Sequence, residues 1–160
     1  MSNAHTSRPS AYTHALRITV SFDGPKLEIA RVERIQMRVP AAPATAPKEN
    51  QGGYWVEVRG GDGTLLHHFP LHDPTRRDVE SFGDEPGDPM RRHPARTTKG
   101  EFEVLIPDLP GAQSFRLHGP KPDARPKARA AMPPSGPLVE HSFDELRRLA
   151  GRAAGQGGTP

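Results

Sequence analysis

Between Leu16 and Leu117 the apolar side chains come in short runs, several with a period of two, bounded by turn-forming residues. Leu16, Ile18, Val20 and Phe22 alternate with Arg17, Thr19 and Ser21. Successive side chains of an extended strand point to opposite faces, so this pattern buries one face and leaves the other wet. Asp23-Gly24-Pro25 then predicts a turn. In Lys26–Val39 the alternation resumes through Leu27 and Ile29 and again through Ile35, Met37 and Val39, with Val32 out of step. This predicts two short strands or one broken by a bulge, with a helix as the competing reading because no Gly or Pro interrupts 27–38.

Pro40–Gly53 has no periodicity and reads as a long loop. Tyr54–Arg59 predicts a strand, Gly60-Gly61-Asp62-Gly63 a turn, and Thr64–Phe69 the returning strand of a hairpin. The stretch 72–99 is rich in turn formers, with short extended pieces at Asp78–Phe82 and Met90–Arg92 that can pair at an edge. Phe102, Val104 and Ile106 form a further alternating run, Pro107–Gly111 turns the chain, and Ser114–His118 closes the set with Phe115 and Leu117 inward. Six or seven short strands joined by turns predict an all-β antiparallel sandwich over residues 15–118.

The ends have a different composition. Residues 1–14 are polar and read as a disordered leader without a secretory h-region. Gly119–Pro137 carries six Pro and four basic residues against one acidic, with no apolar side chain larger than Ala except Met132. Such a segment buries too little surface to offset its ordering entropy, so it reads as a disordered basic linker. In the tail 138–160, Ser142 and Glu145 fit a capping box, and Phe143, Leu146, Leu149 and Ala150 fall near one helical face, predicting a helix over 142–150 that stops at Gly151. A helix that short is unstable alone and must dock, on a partner or on the protein's own sheet, or form only transiently.

The chain has no cysteine, which removes disulfides and thiol chemistry and leans toward a reducing, cytoplasmic location. No stretch approaches the ~20 apolar residues of a membrane span. Net charge is +3, but residues 51–110 carry 7 basic and 11 acidic side chains, so an acidic middle lies between basic ends. The expected partner is a protein, met through the sandwich surface or the helix, with a nucleic acid or anionic surface as the alternative that the basic tail suits.

Candidate chemistry is sparse. His67, His68, His72 and Asp73 form the densest cluster of metal-ligand types, the basis of an alternative reading as a metal-dependent enzyme or carrier. On a strand His67 and His68 point to opposite faces, so at most one can join His72, and edge or surface histidines are the preferred reading. The acids from Asp73 to Asp88 do not match a calcium-loop spacing. No nucleophile elbow, phosphate loop or dinucleotide fingerprint is present, so no cofactor and no catalytic residue is assigned. Expected partner-binding residues are Trp55, Arg76 and Arg77 on the sandwich and Phe143, Leu146 and Leu149 on the helix.

Gly53–Arg59 followed by Asp62-Gly63 resembles a hairpin that recurs in bacterial immunoglobulin-like and fibronectin-III-like sandwiches. Phe102–Ala112 resembles their closing strand, turn and strand. With Leu71-His72-Asp73-Pro74 and Asp78-Val79-Glu80, the chain is similar to small uncharacterised bacterial sandwich proteins. The resemblance implies an immunoglobulin-like sandwich, here without the cysteine pair of antibody domains, and a non-catalytic binding or accessory role.

Overall fold

The computed structural model describes residues 12–39, 52–75, 77–81, 91–95, 99–120 and 135–156. Seven antiparallel strands build two sheets: β1 (Ala15–Asp23), β2 (Lys26–Ile35), β3 (Tyr54–Gly60), β4 (Leu65–Leu71), β7 (Lys99–Pro107), β8 (Ala112–Pro120) and β9 (Ser135–Ser142). The first sheet runs β2-β1-β7 and the second β4-β3-β8-β9. Between β4 and β7 the chain forms a separate two-stranded ribbon, β5 (Arg77–Ser81) and β6 (Arg91–Ala95). The helix α1 (Phe143–Gln156) follows β9.

Registers explain the core. On β1, Leu16 and Ile18 stand opposite Ile106 and Val104 of β7, and Val20 opposite Phe102. Across β3, Val56 faces Leu117 and Val58 faces Phe115. These rows meet as one buried cluster between the sheets, the face-to-face packing of an antiparallel sandwich. Val32 falls into line because β2 carries a bulge: Thr19 pairs with Arg31 and Val20 with Ile29, leaving Ala30 unpaired. That one-residue slip keeps Leu27, Ile29 and Val32 on the inner face of a single strand. Lys26–Ile35 is therefore one bulged strand, not a helix.

The C-terminal region departs from the sequence reading. Gly119 and Pro120 continue β8, and Ser135–Ser142 adds a fourth strand to the second sheet, with Leu117 opposite Val139 and Arg116 opposite Glu140. The sandwich therefore extends past residue 118 through the helix, and the expected linker is confined to 121–134, which lies outside the described residues. The helix is 14 residues long and passes through Gly151. Its start follows the expected cap, with Glu145 N donating to Ser142 Oγ at 3.2 Å. Phe143, Leu146 and Ala150 are buried in the main core, and the helix packs mostly along β2 while touching β8 and β9. It thus closes the side of the sandwich where edge strands β2 and β9 meet. This docking accounts for the length: once two turns are held by packing, a glycine costing about 1 kcal/mol no longer ends the helix.

A buried carboxylate fixes the helix in place. Asp108, in the β7–β8 turn and 7% exposed, accepts from Arg34 Nε of β2 at 2.8 Å and from Arg147 Nε of α1 at 2.9 Å. Arg147 also donates to Leu109 O at 3.0 Å and lies over the Phe143 ring at 4.8 Å. Burial pushes the Asp108 carboxyl up, but the two guanidiniums outweigh it and hold it below the usual range.

Candidate functional site

The outer face of the second sheet carries a compact polar cluster. On β3, Val56 and Val58 point into the core, so Trp55, Glu57 and Arg59 point outward. Register sets His68, Glu57, Arg116 and Glu140 in one row across β4, β3, β8 and β9. Pro70, Trp55, His118 and Pro137 form the adjacent row. Cross-strand neighbours of this kind are in direct reach of one another.

Glu57 is the centre of the cluster, although only 3% exposed. Arg59 donates from Nε to Oε1 at 3.0 Å and from Nη2 to Oε2 at 3.2 Å, a bidentate pair. Arg116 Nη1 lies 3.6 Å from Oε1 while its Nη2 donates to Glu140 at 2.8 Å. His118 Nε2 is 3.2 Å from Glu57 Oε1, a contact at hydrogen-bond distance but without hydrogen-bond alignment. Burial raises the Glu57 carboxyl; His118 and Arg59 overcome that and bring it from 4.5 to about 2. A carboxylate this acidic neither donates a proton nor accepts one usefully near neutral pH, so Glu57 is a fixed charge and not a general acid or base. Its neighbour His68 is also lowered, here chiefly by burial, with Glu57 opposing and His118 adding to the fall.

Trp55 lies flat on the His118 ring, with centroids 4.8 Å apart and planes 6° apart. It is buried by this stack, and its Nε1, like His68 Nε2, has no hydrogen-bond partner among the described residues. Trp55 therefore supports the cluster and is not a displayed recognition anchor. Tyr54, on the opposite face, lies against Gly119, whose missing side chain lets the ring and Leu138 close over the backbone. Burial raises the Tyr54 phenol, with Thr75 opposing.

Comparison with protein families, curated proteins and solved structures finds no match for this chain. The remaining sequence-derived site residues are placed as follows. Phe143 and Leu146 are fully buried in the protein's own core and Leu149, partly buried, packs against it, so they hold the helix to its own sandwich. Arg76 lies outside the described residues, and Arg77 opens β5. His67 stands opposite Val58 on the inner face, where burial lowers its pKa, and His68 stands opposite Glu57 on the outer face. His72 and Asp73 are exposed, Asp73 accepting from Thr75 N and Oγ1 at 3.0 and 2.8 Å. Among the described residues no three His, Asp or Glu side chains are arranged to hold a metal ion. No helix among them is long and apolar enough to cross a membrane.

Sequence reasoning singled out Trp55, considered His118 only as a metal ligand, and missed Glu57 and Arg116. A signal was present: Val56-Glu57-Val58 and Phe115-Arg116-Leu117 each place a charge between two core residues, which marks the outer face of an interior strand.

The two sides of the sandwich differ. On the side away from α1, β4 is the edge strand of the second sheet and exposes Leu66 at 38% and Phe69 at 41%. Leu66 is the bulged residue, since Val58 pairs with His67 and Arg59 with Leu65. Pro70 supplies no N–H. Bulge and proline together limit strand addition along this edge. Its exposed feature is therefore a pair of apolar side chains rather than a long row of backbone groups.

Proposed function

We propose that this chain is a non-catalytic binding or accessory module, cytoplasmic in location, that meets a protein partner through the β4 side of its sandwich. The observation that carries this reading is the exposure of Leu66 and Phe69 on an edge strand without a single acidic or basic residue other than its two histidines. An edge strand that exposes large apolar side chains and carries no fixed charge is the kind of edge a partner can cover. Glu57 at a pKa of about 2 supports the non-catalytic half of the reading, because the best-formed polar cluster is unsuited to proton transfer. Kinship in fold with immunoglobulin-like sandwiches belongs to the same proposal. The order β4-β3-β8-β9 matches strands C′, C, F and G of such domains, whereas the first sheet departs from their A-B-E order because β1, and not β2, pairs with β7.

The test compares the native chain with the Leu66→Ser/Phe69→Ser variant as bait in affinity capture from the source cell. Both sites are exposed, so the variant's melting temperature should stay within a few degrees of the native value. Loss of a partner that the native chain retains is the expected result. Equal retention by both baits, or no specific partner for the native chain, overturns the proposal.

A further inference from the structure

We draw no further inference here: the strongest candidate, the groove of about 400 Å³ at the end of the sandwich lined by Leu27, Tyr54, Pro120 and Leu138, carries nothing because no feature of the structure shows what covers it.

Discussion

Replacing Glu57 by Gln keeps the side chain's shape and removes its charge from a site that is 3% exposed. In the folded chain its carboxyl lies at about 2 instead of 4.5. At about 1.4 kcal/mol per pH unit, that difference corresponds to roughly 3 kcal/mol of stability carried by the ionised form. Arg59 and Arg116 are each about one-third exposed, so water screens part of the attraction and roughly 3 kcal/mol is an upper figure. Urea unfolding followed by the fluorescence of Trp55, the single tryptophan, measures the difference directly. A depressed folded-state pKa means the stabilisation is complete above 4.5 and disappears as the pH falls from there through about 2. The native chain should therefore exceed the variant by about 2–3 kcal/mol at pH 5–6, with the gap closing toward pH 2. A gap under about 0.5 kcal/mol at pH 6, or one that does not narrow in acid, would refute the account of Glu57 as a charge held by its neighbours.

Three further outcomes follow from packing. Phe143→Ala, at a fully buried helix position, should cost about 3–5 kcal/mol in denaturant unfolding and release α1; a loss under 1 kcal/mol would place the helix off the core. Gly119→Ala puts a Cβ 2.6 Å from both Tyr54 and Leu138 and should cost about 1–3 kcal/mol. An unchanged melting temperature would contradict that close approach. Gly151→Ala meets nothing within 4 Å and lies inside the helix, so it should add about 0.5–1 kcal/mol. Destabilisation there would mean that the helix ends before Gly151.

The features legible in the amino-acid order are local ones. The alternation in β1 and β7, the Gly60–Gly63 turn and the Ser142 cap each depend on residues close in the chain, and all three stand in the structure where the pattern put them. The all-β sandwich follows, because several strands with one apolar face bury those faces only against one another. Even the pairing of short extended pieces within 72–99 was legible, and appears as the ribbon β5–β6.

Tertiary structure alone decided the C-terminal region and the polar cluster. Ser135–Ser142 has few strand-forming residues and a proline, and it becomes a strand because β8 offers an open edge beside it. The helix outlasts Gly151 because its apolar stripe has β2 to pack on, a stabilisation that no local propensity contains. Glu57 gains its strong acidity from His118, which comes from a strand far along the chain, and from Arg59, two residues on in sequence. Sequence could place each of these residues on the outward side of its own strand. Which charges then became neighbours depended on the order and register of the strands, and that is a property of the whole packed sheet.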